Sequence, residues 1–118
     1  MRTVLRRIAL FASAAAAAAT WATVPAVALR DTDILGKWCG TESDYHITRT
    51  SMTVTRASDN AQLVFDILKF EAREGSLLVQ WRLQGRVGGT EFGEFSADGL
   101  KMAQLPNAKG PRREFRRC

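Results

Sequence analysis

The chain is poor in the residues that usually do chemistry. Its 118 residues hold one histidine, two cysteines and one tyrosine. The lone histidine, His46, has no second imidazole and no spare thiol with which to share a zinc ion, and zinc draws its ligands from those groups. It falls in the middle of a strand-like run, "DYHITR", and the chain contains no nucleophile-elbow pattern. A hydrolytic site needs a nucleophile, a base and an orienting group that converge. We therefore expect no enzyme, no metal and no other cofactor. Glu91, Glu94 and Asp98 come nearest to a cation site, but Phe92 and Phe95 interrupt them. Calcium wants roughly six to eight oxygens from a shaped loop, so these acids read as a solvated sheet edge.

A long apolar run is also missing. The most apolar stretch, "IALFASAAAAAA", is about a dozen residues, well short of the roughly 20 that a membrane helix requires. It follows "MRTVLRR" and precedes "TWATVPAVA", which ends on Ala26-Val27-Ala28. A basic start, an apolar middle and a small-x-small end make a secretory signal peptide. Residues 1–28 are read as that leader, and residues 29–118 as a single domain that is periplasmic or secreted, with no membrane span. No cysteine closely follows the cleavage point, which argues against a lipid anchor. Strong net charge is lacking once the leader is removed. Arg2, Arg6 and Arg7 leave with it and no acid does, so the formal charge falls from +5 to about +2. Nothing in that balance calls for nucleic acid.

What the chain does have is a cysteine near each end of the expected domain. Export means an oxidising compartment, so Cys39 and Cys118 are expected to pair. Closing a loop that long is worth about 4–5 kcal/mol on the chain-entropy estimate. The pairing also brings the first and last elements together, because disulfide Cα atoms lie within about 7 Å.

Turn signals recur every 8–12 residues, roughly the spacing of an all-β sandwich or barrel. They fall at Glu42-Ser43-Asp44, Thr50-Ser51, Ser58-Asp59-Asn60, Glu74-Gly75, Gly85 to Gly89, Asp98-Gly99 and Asn107 to Pro111. Between them, "SLLVQWRL" alternates Leu77, Val79, Trp81 and Leu83 with Ser76, Leu78, Gln80 and Arg82. Tyr45 and Ile47, then Met52 and Val54, repeat that period of two. The Asp98-Gly99 pair suits a type I′ hairpin between "TEFGEF" and "LKMAQL". Residues 61–72 are ambiguous: Leu63, Val64, Ile67 and Leu68 fit one side of a helix capped by Asp59 and ended by Gly75. Val, Phe and Ile favour a strand, with a bulge near Ile67-Leu68 that moves the buried set from Leu63/Phe65/Ile67 to Leu68/Phe70/Ala72. The strand reading gives an all-β fold: a small antiparallel up-and-down barrel of about eight strands, first and last tied by the disulfide.

Alternation predicts the contact at that seam. Trp38 and Phe115 belong in the core, which sends Cys39 and Cys118 to the outer face together. With the cysteines directly opposite, Arg117 becomes a diagonal neighbour of Trp38, and a guanidinium over an indole is worth about 0.5–2 kcal/mol. The alternative is that Arg116 and Arg117 simply solvate the chain end.

Gly36-Lys37-Trp38 resembles the Gly-x-Trp that opens the first barrel strand of the calycin superfamily. Lipocalins, fatty-acid-binding proteins, avidins and the bacterial metalloprotease inhibitors belong there. The resemblance implies a calycin-like β-barrel in which Arg117, or Arg116, packs across Trp38. In size the domain is nearest to the metalloprotease inhibitors, although their disulfide is internal. It further implies an N-terminal segment that enters an enzyme's cleft, here Leu29, Arg30 and Asp31 in the stretch 29–33.

The functional expectation is a small non-enzymatic barrel that binds another macromolecule, a protein or an envelope component, with inhibition of an exported enzyme as one version. Lys109, Arg112, Arg113, Arg116 and Arg117 form a basic cluster in which Arg112 and Arg113 are the candidate partner contacts. A lipocalin-like carrier of a small apolar ligand is the alternative. Trp38, Tyr45, Phe65, Trp81, Phe92 and Phe115 should fill so narrow an interior, which disfavours it.

Overall fold

Strict alternation runs through the second strand: Ser43, Tyr45 and Ile47 are buried while Asp44 and His46 are exposed. That pattern needs a core on one side and solvent on the other, and the chain meets it by curling one sheet into a cylinder. The computed structural model describes residues 29–108 and 110–118. The expected leader, 1–28, and Lys109 lie outside the described residues. A 3-10 turn, Asp31–Asp33, precedes eight strands: β1 Gly36–Gly40, β2 Ser43–Ile47, β3 Ser51–Arg56, β4 Gln62–Arg73, β5 Ser76–Leu83, β6 Arg86–Gly93, β7 Lys101–Gln104 and β8 Arg113–Arg117. Each pairs with its neighbour in sequence and β8 returns to β1, which closes the barrel.

Residues 62–73 form a strand rather than a helix. β4 serves as partner to β3 over its first half and to β5 over its second, the two overlapping at Asp66, and this cross-strand pairing is what a helix could not provide. The register slips between Ile67 and Lys69, which leaves Leu68 as the extra residue of a bulge. Inward positions therefore pass from Phe65 and Ile67 to Phe70. Leu68 does not join the buried set as expected: the bulge turns it out, and it is 44% exposed. Ala72 is exposed too.

Two turn expectations are corrected. The two-residue type I′ loop is Gln84-Gly85, where both residues have positive φ (51° and 80°) and Leu83 faces Arg86. At the other candidate only Gly99 is left-handed, at 74°, and its N–H donates to the Ser96 carbonyl. Asp98 instead caps that turn, accepting from the Leu100 N–H at 3.0 Å and the Ser96 hydroxyl. The second correction is that Gly88 and Gly89 belong to β6 and not to a turn. Gly88 faces Trp81 across the pair, and a Cβ there would meet the indole at 2.6 Å. The glycine makes room for the ring.

The core comprises Ile34, Trp38, Tyr45, Ile47, Met52, Leu77, Val79, Phe92, Met102, Ala103 and Phe115. Aromatic edges lock it: Tyr45 meets Phe92 edge-on at 5.6 Å and lies 4.9 Å from Phe115.

A left-handed glutamine at position 84 carries part of the roughly 1–2 kcal/mol penalty of that conformation. Gln84→Asn supplies the residue that a type I′ turn prefers. Urea unfolding should show the variant more stable by about 0.5–1 kcal/mol; a loss of stability would contradict the turn geometry.

Candidate functional site

The barrel's two ends differ. One end is sealed where β1 begins. Trp38 lies directly opposite Arg117, and Cys39 opposite Arg116. The sequence placed the cysteines opposite and the arginine diagonal; β8 sits two residues along from that, with Cys39 facing Arg116 rather than Cys118, so the disulfide runs diagonally with Cα atoms 5.2 Å apart. Arg117 is the arginine that covers the indole, its guanidinium carbon 3.9 Å from the ring centre. Its N–H groups donate to three backbone carbonyls: Gly99 at 3.3 Å, Asp33 at 3.0 Å, and Leu35. Burial pulls the Arg117 pKa below its ordinary value, and Asp33 pushes it back up. The charge is thus held by carbonyl dipoles and an aromatic face rather than by a salt bridge.

Gly36 is explained by the same contact. Its φ is +117°, and a Cβ there would stand 2.7 Å from an Arg117 nitrogen. Trp38 itself donates to the Ile34 carbonyl at 2.9 Å, so the segment ahead of β1 folds over the end as a plug, with Ile34 fully buried. Within that plug the Arg30 N–H donates to Asp33 at 2.7 Å, and Asp31 pairs with Arg49. Arg30 stays exposed, while Leu29 and Asp31 are half-buried.

The other end is open. Tyr45, Val54, Leu63 and Arg113 line a depression of about 780 Å³ beside the β1–β2 and β3–β4 turns. Leu63 was expected inside; it points inward but is 49% exposed, because the mouth leaves it uncovered. Next to it on β4, Phe65 stacks edge-on with Trp81 at 4.7 Å, and both are half-buried. The indole N–H donates to the Thr90 hydroxyl at 2.9 Å. Four of the six expected filling aromatics are buried: Trp38, Tyr45, Phe92 and Phe115. Phe65 and Trp81 are the two that reach the surface.

The charges named from sequence are dispersed. Arg113 reaches Glu42 across the mouth at 3.2 Å. Arg112 grips Glu94 and Glu114 on the outer face, both at 2.6 Å, and lowers the Glu94 pKa. Arg113 and Leu29-Arg30-Asp31 stand at opposite ends of the barrel, so one contact patch does not join them. Glu91 takes the Ser76 hydroxyl and Arg73. No three His, Cys, Asp or Glu gather as a metal site among the described residues. His46 is exposed on the outer face. No described helix is long and apolar enough to cross a membrane.

No protein-family model, curated protein or solved structure matches this chain.

The residues missed from sequence are those at the open mouth and along β6. "Gly85 to Gly89" suggested a turn and hid a strand. The usable signal was the bulky Trp81 on the preceding strand, which needs a small residue opposite.

Gly36→Ala should cost about 1–3 kcal/mol, an overpacking penalty, added to the strain of its left-handed φ. Arg117→Lys should not restore what Arg117→Ala loses, since a single ammonium cannot reach three carbonyls and cover the ring; an Arg117→Lys variant that melts at the wild-type temperature would refute this. Tyr45, the chain's single tyrosine, is raised from 10.0 to about 12 by burial, against the pull of Arg113. The folded state favours the neutral phenol, which donates to Gln104 at 2.7 Å. Its stabilisation is complete below about pH 10 and is lost as pH climbs toward 12, amounting to about 2–3 kcal/mol. Tyrosinate absorbance should report a midpoint near 12 in the folded protein, and Tyr45→Phe should resist alkaline unfolding.

Proposed function

We propose that this chain is a small exported, non-enzymatic barrel that binds another macromolecule of the cell envelope. The observation that carries the reading is the asymmetry of its ends. Aromatic and sulfur-bearing side chains fill the closed end, with Trp38, Met52, Phe92 and Met102 each at most 2% exposed. The open end presents Leu63, Phe65 and Trp81 to solvent instead of enclosing them. Aromatic and apolar groups held on a rigid frame are the usual anchors of protein interfaces.

The Gly36–Trp38–Arg117 arrangement supports a calycin-like classification, and inhibition of an exported enzyme is its concrete form. The plug-like hold on residues 29–35 favours the opposite, open end as the contact face over an N-terminal arm. A second reading has its own support. A depression of about 780 Å³ lies within the range of small-ligand pockets, roughly 300–1,000 Å³, and Tyr45, Val54 and Leu63 would suit an apolar ligand.

The immobilised protein should retain a specific partner from envelope extract, and a Phe65→Ser/Trp81→Ser variant should lose it. Retention of nothing across growth conditions counts against the first reading. A small molecule that stays bound in native mass spectrometry of the purified protein would favour the second.

A further inference from the structure

The thinnest seam of the barrel lies between β6 and β7. It holds two residue pairs, Phe92 with Gln104 and Gly93 with Ala103. One more bond extends it, from the Leu105 N–H to the Glu91 carbonyl at 2.8 Å. Before that point β6 continues for five residues, Arg86–Thr90, whose strand pairing is with β5 alone among the described residues.

Antiparallel ladders alternate residues that bond to one neighbour with residues that bond to the other. The Glu91 carbonyl already faces β7, which fixes the phase. Gly89 and Val87 therefore also turn their N–H and C=O groups away from β5, toward an edge with no strand on it. Unpaired strand edges are templates for further pairing, and proteins usually blunt them with proline, bulges or charge. This one carries two glycines in sequence, an exposed Val87 (64%) and a single charge, Arg86.

Charge indicates what the edge would accept. The arginines around the open end are mostly neutralised: Arg56 by Asp59, Arg113 by Glu42, and Arg112 by Glu94 and Glu114. Arg82 and Arg86, on the tip of the β5–β6 hairpin, enter none of the ion pairs of the described residues. Asp66 faces Arg82 in register, which leaves Arg86 as the freer of the two. Arg86 shares the inward face with Trp81 and Gly88, and Val87 the outward face with Arg82. A second copy is a poor fit: antiparallel pairing centred on Gly88 would crowd both copies' Arg82 and Arg86 into one ribbon.

We propose that the outer edge of β6 at Val87–Gly89 is a docking strand for an extended segment of a partner polypeptide, one that carries acidic side chains next to apolar ones. Main-chain bonds to Val87 and Gly89 give affinity without regard to sequence. An acid beside Arg86 and an apolar side chain against Val87 or the Trp81 edge give the choice of segment. The proposal rests on the macromolecule-binding reading above and specifies its partner class.

The test selects short random peptides displayed on phage against the disulfide-bonded protein. Recovered peptides should alternate acidic with apolar residues. Their binding to the wild type should slow amide exchange at Val87 and Gly89. Val87→Pro removes one outward N–H without touching the β5 ladder, and it should weaken binding about tenfold or more. So should the double variant Arg82→Glu/Arg86→Glu, whereas Lys37→Glu, exposed on β1, should not. Exchange is read on the unaltered protein, so a misfolded proline variant would not hide the answer. Unchanged Val87 and Gly89 amides in the bound state overturn the proposal. So do basic peptides, equal binding by a folded Val87→Pro, or a dimer of the protein itself that Val87→Pro dissolves. An envelope partner captured equally by wild type and Val87→Pro removes the edge but leaves the binding function standing. Capture by neither removes the function and the edge proposal with it.

Discussion

A sheet of eight short strands becomes a barrel only if its two free edges meet, and here they meet at the pair Trp38–Arg117. Everything else in the fold is arranged around that meeting. The indole is the largest fully buried side chain, and it fills the centre of the closed end. The guanidinium above it reaches back to the plug and across to the Gly99 turn. One side chain thus ties β8 to the segment before β1 and to the loop before β7. Hydrogen bonds from a charged donor are worth about 1.5–3 kcal/mol each, but burying that donor also costs solvation. The net gain comes from geometry: a rigid fork meets fixed carbonyls and loses little on ordering. The disulfide acts on the other face of the same seam. Its closed loop, with a sequence separation of 79, removes unfolded-state entropy worth about 4–5 kcal/mol.

How much of this was legible depended on whether a property is local or relational. Side-chain parity is local. Trp38 and Phe115 had to face inward, which sent both cysteines outward, and that holds. Register is relational. It depends on the stagger between distant strands, and a diagonal disulfide satisfies the same parity as a direct one. The expectation therefore got the faces right and the opposition wrong by two residues, the smallest slip that keeps the faces. Residues 61–72 show the same division. A bulge near Ile67-Leu68 follows from two incompatible apolar alternations on one strand. Which residue the bulge ejects follows from pairing with Trp81 and Gln80 on β5, and that was not visible in the run itself.

Glycine shows the limit most clearly. Gly85 and Gly75 mark turns because left-handed φ values of 80° and 76° demand them. Gly88 looks identical in sequence but is required by the indole on the neighbouring strand. One kind of glycine is a statement about its own backbone; the other is a statement about someone else's side chain. Reading both as turn signals shortened β6 and concealed its uncovered outer edge. The candidate site was thus the least legible part of the molecule.

The uncovered edge of β6 contrasts with the tightly built closed end. The seam between β6 and β7 contributes few ladder bonds, with two residue pairs. The β1–β8 seam, itself only three residue pairs, is reinforced by three kinds of constraint: a covalent bridge, a buried aromatic and a forked cation. Concentrating the closure at β1–β8 frees the β5–β6 hairpin from a structural duty at its tip. Arg82 and Arg86 at that tip then serve two ends with the same pair of charges. They discourage pairing of the edge with a second copy of itself, and they supply the attraction that the proposed acidic segment would use. A neutral tip would expose Val87, Gly88 and Gly89 to indiscriminate strand addition, the usual hazard of a bare edge. Selectivity there comes as much from what the arginines repel as from what they attract.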